Sequence, residues 1–304
     1  MTLTLIVVLA VWLDHRLGEP DNSRHPLVAF GRWATFLERH LLDPDASAGR
    51  QRMMGVIALC CALLPCSVWL LVPALSVLQA VCAVIILYFC IAANSLQQHA
   101  HSVQHALLDG NLPLARQRVG HIVSRETNNM TDAEIRRAAI ESVLENGADA
   151  IFAPLLCFVL LGPFGTLLYR LSNTLDAMWG YKNQRYRHFG WAAARFDDLL
   201  NWLPARFTAL SYALLGDRRH ALAAWRQAAP LLESPNAGPV MAAGAGALNL
   251  QLGGPAIYHG LVKPKPWFGG RHMPTNFDIE RACALVNRTL ALWLAVIALG
   301  DALA

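Results

Sequence analysis

Glu141, Glu145 and Asp149 recur at intervals of four residues. On an α-helix each such step turns by about 40°, so the three acids share one broad face. Like charges there repel. A divalent cation or a cationic substrate group would relieve that repulsion, and a carboxylate so placed can take a proton from an amine. Asn146 stands beside them as donor and acceptor. The plainer reading is a solvated acidic face; the apolar run that begins at residue 150 favours a site. Asn173 and Asp176, three apart, form a second set on one helix face, and Lys182, Arg185, Tyr186 and Arg187 follow. Cations interleaved with planar side chains suit phosphate and carboxylate groups, or else a basic stretch lying on lipid headgroups. Asp197, Asp198 and Asn201 complete the series. Two carboxylates and an amide can hold Mg²⁺ on a nucleotide's phosphates, because Mg²⁺ takes one or two protein carboxylates and leaves the rest of its shell to phosphate and water. Arg195 is close enough in sequence to pair with Asp198 instead.

Two weaker signals lie outside this stretch. Ser234 and Asn236 sit in a turn just before an Ala/Gly-rich run, where exposed amides at a helix start can hold an anion, or where a simple turn suffices. His99, His101 and His105 have helical spacing, but no nearby carboxylate or thiol completes a metal set. There is no Walker A loop, no G-x-G-x-x-G and no G-x-S-x-G, so any ATP pocket here is not a P-loop.

These residues need elements to hold them, and composition points to a bilayer. Of 304 residues 55% are hydrophobic and 15% charged, with a mean hydropathy of +0.35. The formal charge of +4 is too small and too dispersed for a nucleic-acid partner; it suits a protein beside anionic lipid or one that handles anionic substrates. The seven cysteines contain no C-x-x-C pair and sit mostly in apolar runs, so they read as small buried hydrophobes. No cleavable signal is expected: residues 3–13 are apolar but lack a preceding positive charge and a small-residue cleavage site.

The expected fold is all-α: one polytopic integral membrane domain over residues 1–304, with a re-entrant or broken helix and large cytoplasmic helical loops. Apolar segments fall near 3–13, 53–72, 75–93, 150–169, 240–252 and 282–300, and polar site segments at 125–149 and 173–206. Runs 53–72 and 75–93 read as a transmembrane hairpin turning near Pro73. Arginines on both flanks (Arg50, Arg52; Arg116, Arg118, Arg125) place those flanks in the cytoplasm. Residues 30–42 form an amphipathic helix. Thr131 and Glu134 make a capping box that opens a helix through Val143. Residues 150–169 carry Pro154 and Gly162-Pro-Phe-Gly165, which predicts two half-helices returning to the side they left. The Ala/Gly run near 240 predicts close helix packing in the membrane, and 261–281 a loop.

The stretches ESVLENGADAIFAPL, YRLSNTLDAMWGYKNQRYRHFGWAAARFDDLLNWLPARFTAL and SPNAGPVMAAGAGALNLQLGGPAIYHG, with LDHRLGEPDNSRHPLVAFGR near the start, resemble the adenosylcobinamide-phosphate synthases, the CobD/CbiB proteins of cobalamin biosynthesis. The likeness covers nearly the whole chain. It implies a multi-pass enzyme of the bacterial inner membrane with a cytoplasm-facing site. That enzyme joins aminopropanol O-phosphate to the corrinoid adenosylcobyric acid through an amide bond, using ATP and Mg²⁺. Asn183 and Arg206 enter the candidate set through this resemblance, and Pro235 also matches the family pattern. Glu19 departs from it, standing where the family commonly has Asp. On this reading Asp197, Asp198 and Asn201 hold the metal, and Lys182, Asn183, Arg185, Tyr186, Arg206, Ser234 and Asn236 bind substrate phosphates. Glu141 or Asp149 is the base, with Glu145, Asn146, Asn173 and Asp176 around the reacting groups. Trp179, Trp191 and Trp202 offer a wall for the corrin. Association with other membrane enzymes of the pathway is a further expectation. The rival readings are a permease for an anionic substrate, which would also use broken helices, and a non-catalytic membrane sensor of the same fold.

Overall fold

The computed structural model describes residues 2–20, 25–71, 76–258 and 260–304. Its helices are α1 (Leu3–Leu17), α2 (Pro26–Leu41), α3 (Ala48–Leu63), α4 (Ser76–Cys90), α5 (Ala93–Leu108), α6 (Leu112–Val119), α7 (Asp132–Gly147), α8 (Ala153–Trp179), α9 (Trp191–Leu215), α10 (Arg218–Ala228), α11 (Ala237–Leu248) and α12 (Phe277–Leu303). Among the described residues three helical runs are long and apolar enough to cross a membrane, Val77–Leu108, Asp132–Trp179 and Phe277–Leu303. The chain is thus a multi-pass membrane protein with an all-α fold. Contacts divide it into two compact units: Met1–Ala92, Ala153–Asn201 and Gly300–Ala304 form the first, Ala93–Phe152 and Trp202–Leu299 the second.

In the first unit α2, α3 and α8 pack on one another, and α4 packs on α1 and α8. α2 starts four residues before the helix expected from residue 30, with Pro26 at its first position and His25 as its cap. Its inner face carries Phe30, Ala34 and Leu37, and with them the acid Glu38. The run expected over 53–72 falls in a 16-residue α-helix that tightens into a 3₁₀ segment, Leu64–Leu71. The turn expected near Pro73 lies outside the described residues.

α8 is two helical limbs. Gly162 takes φ 64° and ψ −157°, a conformation no helix contains, and Pro163 follows. The limbs fold back on each other. Thr166 Oγ1 donates to the Pro154 carbonyl at 3.2 Å, though a straight helix would hold these residues about 18 Å apart. A Cβ on Gly165 would stand 2.5 Å from the Cys157 carbonyl oxygen. The first limb continues α7 through a π-helical turn, Ala148–Phe152, so the reversal at Gly162 ends a helix that starts at Asp132.

The second unit packs α5, α6 and α7 together, and α11 against α7 and α10. The capping box at Thr131–Glu134 is present. The Ala/Gly run is a 12-residue helix buried from Gly238 onward, the close helix packing expected of it. Its small residues let α10 approach, and a Cβ on Gly246 would meet the His220 carbonyl at 2.5 Å. The expected loop also holds β structure. β1 (Gln251–Gly253) pairs antiparallel with β4 (Trp267–Gly269), Leu252 opposite Phe268; between them β2 (Ala256–Tyr258) pairs with β3 (Leu261–Lys263), Ile257 opposite Val262. All seven cysteines are free thiols; Cys60 is exposed, against the expectation of burial.

Candidate active site

The first unit gathers Asn173 and Asp176 from α8 with Asp197, Asp198 and Asn201 from α9. Asp197 is 7% exposed and Asn201 3%. Asn201 Nδ2 donates to Asp197 Oδ2 at 3.1 Å, and Tyr169, from α8, donates its hydroxyl to Asn201 Oδ1 at 3.0 Å. The tyrosine thereby fixes which way the amide points. Asn173 also approaches the Asp197 carboxylate, yet Asp197 Oδ1 is buried and accepts no hydrogen bond of good geometry among the described residues. Burial, then the neighbouring Asp176 carboxylate, pushes the Asp197 pKa up to about 7; the hydrogen bonds from Asn201 and Asn173 pull the other way and do not win. Burial raises the Asp198 pKa too, while Arg195 and Lys182 hold it down; the expected Arg195–Asp198 pair is loose, at 3.7 Å.

The loop after α8 sets these groups. A Cβ on Gly180 would lie 2.0 Å from Asp176 Oδ1 and 2.7 Å from its carbonyl oxygen. Gly180→Ala is therefore expected to displace the Asp176 carboxylate and lower kcat/KM roughly 10- to 100-fold; wild-type kinetics would remove Asp176 from the site. Asn183 accepts the Tyr186 N–H at 3.0 Å and so serves a local turn. Arg185 and Tyr186, expected on substrate phosphate, close on Glu38: Arg185 Nη2 donates to Oε1 at 2.7 Å and Tyr186 Oη at 2.9 Å. Glu38 was missed in the sequence, although an acid on the apolar face of α2 was a signal that it needed a partner. Trp179 is fully buried against Phe189, so it offers no wall to a substrate. Trp191 is exposed, beside Arg52.

In the second unit Glu141 is 2% exposed. Arg125 Nη2 donates to its Oε2 at 2.5 Å, and the Gly253 N–H donates to its Oε1 at 2.8 Å. Both oxygens are occupied. Glu145 lies near the charges of Lys265, Glu141 and Arg125. Asn146 turns its amide back to Ser142, 2.9 Å to the carbonyl and 3.0 Å to the hydroxyl. Asp149 sits half-buried in a π-helical turn, Ala148–Phe152, which takes it out of register with the row of acids above. Such turns recur at functional sites.

The expected anion site at Ser234 and Asn236 is filled from within. Ser234 Oγ accepts the N–H groups of Asn236 and Ala237. Arg206 is spent on the same turn, donating to Asn236 Oδ1 at 2.6 Å, the Pro235 carbonyl at 3.0 Å and the Trp202 carbonyl at 3.0 Å. Arg206 also covers the exposed Trp202 ring. Lys182 remains solvent-exposed, with Asp198 as a charged neighbour. His101 Nε2 pairs with Glu280 at 2.7 Å, a carboxylate that sequence distance had hidden. Among the described residues no three of His, Cys, Asp and Glu converge as a metal-holding group.

Comparison with known proteins bears on what these clusters serve. Residues 7–286 match the family model described as CobD/Cbib protein. The "Cobalamin biosynthesis protein CobD" of Chromobacterium violaceum is 52% identical over 301 residues, covering 97% of this chain and 96% of the relative. That of Stutzerimonas stutzeri is 51% identical over 305 residues, covering 99% and 98%. That of Halalkalibacterium halodurans is 36% identical over 300 residues, covering 94% and 92%. No solved structure gives a significant match. With near-complete coverage at half identity, the chain belongs to the CobD/CbiB family, the adenosylcobinamide-phosphate synthases of cobalamin biosynthesis that its motifs resemble.

Proposed function

We propose that this protein forms the amide bond between the amine of aminopropanol O-phosphate and a carboxylate of adenosylcobyric acid, at the expense of ATP, giving adenosylcobinamide phosphate at the cytoplasmic face of a bacterial inner membrane. A carboxylate is a poor electrophile in water. ATP converts one of its oxygens into a leaving group, the amine attacks the activated carbon, and the proton released from nitrogen needs an acceptor.

The observation that carries the reading is Asp197 Oδ1, a buried carboxylate oxygen that accepts no hydrogen bond of good geometry among the described residues, with Asp176 close by. Such an atom is costly unless a proton or a cation completes it. Asp197 and Asp198 would hold Mg²⁺, with Asn201 locking the Asp197 rotamer. The bound ion would supply charge neutralisation for the nucleotide's phosphates. Since the described acids do not converge as a three-residue metal site, nucleotide and water must fill the remaining positions, as is common for Mg²⁺.

Lys182 supports the same reading as a mobile cation beside Asp198. Asp149, set by the π-helical turn at the end of the acidic row, is the base we assign. Arg185, Tyr186 and Arg206 act by holding their loops rather than by binding substrate. The exposed indoles of Trp191 and Trp202 offer flat apolar surface to a corrin. The short hairpin of α8 reads as re-entrant, entering the bilayer without crossing it.

The test is direct. Purified protein in detergent, given the corrinoid acid, aminopropanol phosphate and Mg·ATP, should yield the amide by mass, and omission of ATP should abolish it. Uptake into vesicles with no amide formed would replace synthesis with transport.

A further inference from the structure

The second unit contains a small polar cavity that none of the assignments above uses. It is about 40 Å³, room for roughly three waters or one compact oxyanion. Its wall includes Arg125, Glu126, Asn128, Asn129, Glu134 and Arg137. The two acids are already satisfied. Glu134 Oε2 accepts from the Thr131 N–H and hydroxyl at 2.7 Å each, and Glu126 Oε1 accepts the Gly260 N–H at 2.6 Å.

The donors are not. Neighbouring arginines all have acceptors: Arg116 bonds the Met130 carbonyl, Arg125 bonds Glu141 and Arg136 bonds Asn276. Arg137 has no hydrogen bond or ion pair among the described residues. One face of its guanidinium lies over the Trp267 ring at 4.9 Å, which fixes the group while leaving its N–H edge open. Glu134 and Glu141 are its nearest opposite charges, and both already accept from other donors. Asn128 and Asn129 are exposed and carry no side-chain hydrogen bond among the described residues.

We infer that Arg137, Asn128 and Asn129 form a binding site for a phosphate monoester, the group by which a small phosphorylated substrate is held. A planar guanidinium edge presents paired N–H donors to such an oxyanion, and two carboxamides complete the donors. The identity of the ester rests on the reaction proposed above; the site itself does not.

The probe is inorganic phosphate, titrated into the full-length protein in detergent micelles and followed by ³¹P line width and thermal shift. Wild type should bind phosphate, and Arg137→Ala and Asn128→Ala/Asn129→Ala should each bind at least roughly tenfold more weakly, the loss expected for one charge-assisted hydrogen bond. Arg137→Lys, which keeps the charge and loses the fork, should also weaken binding. In the synthase assay the KM for aminopropanol phosphate should rise by a similar factor while the KM for ATP stays constant. If Arg137→Ala does not fold, the asparagine pair on the exposed loop decides the matter alone. No phosphate binding by wild type, or equal binding by the variants, overturns the site. Arg137-dependent phosphate binding without amide formation by wild type keeps the site and removes the reaction. Amide formation with unchanged KM in the variants keeps the reaction and removes the site.

Discussion

Asp197→Asn is expected to lower Mg·ATP-dependent amide formation at least about 100-fold, the scale on which removal of one preorganised electrostatic partner slows an enzyme, and to make the protein without nucleotide more stable above neutral pH. The two effects share one cause. The Asp197 pKa stands at about 7, raised from its ordinary value, so the folded protein binds a proton here that the unfolded chain does not hold between about pH 4 and pH 7. The stabilisation linked to that proton is complete below about pH 4 and is lost as pH rises through 7. Asn carries no such proton, so the melting temperature of wild type should fall relative to the variant over this window, without further divergence above it.

Cation binding runs against the same proton. If Mg·ATP displaces it, affinity should rise by up to tenfold per pH unit below 7 and level off above, and this slope should vanish in Asp197→Asn. Normal turnover by that variant would exclude Asp197 from the metal site. A pH-independent affinity in wild type would exclude the proton exchange while leaving the ligand assignment open to the mutational test.

The sequence carried local information well. Thr131 and Glu134 announce a helix start because a capping box is closed within four residues, and Gly162-Pro163 announces a reversal because only glycine readily takes a positive φ and proline cannot continue the helix behind it. The polar side chains were also recognisable by type. Their partners were not. Glu38 and Arg185 are 147 residues apart, and no spacing rule connects them. The same holds for Gly253 and Glu141, whose hydrogen bond spans 112 residues. Arginines that sequence logic assigns to phosphate, Arg185 and Arg206, thus turned out to be spent on the protein, whereas Arg137, which attracted no attention beside Arg136, keeps its donors. The strands at 251–269 are three residues each and interrupted by Gly and Pro, below the length at which alternation can be read. The close packing of α11 was legible because a run of Ala and Gly lets helix backbones approach.

The Arg125–Glu141 pair yields the other large expected effect, and it separates support from catalysis. Their side chains are 11% and 3% exposed. A guanidinium and a carboxylate taken that far out of water are held by each other and by the Gly253 N–H. Arg125→Met leaves the carboxylate buried with only the backbone donor and should cost about 3–5 kcal/mol, read as a lower melting temperature or denaturant midpoint in detergent. Glu141→Gln in the same background removes the stranded charge, keeps an acceptor for Gly253, and should recover most of the loss; no recovery would mean that the two side chains are not coupled. In a folded Glu141→Gln protein turnover should persist within a few-fold, because a carboxylate with both oxygens committed is not the group that receives the amine's proton. Asp149→Asn, by contrast, should fall by roughly 10²–10⁴, the usual worth of a general base. The reverse pattern, an inactive but folded Glu141→Gln beside an active Asp149→Asn, would move the base to Glu141. It would also require the Arg125 contact to open during the reaction, because only an opened pair exposes an oxygen to take the proton.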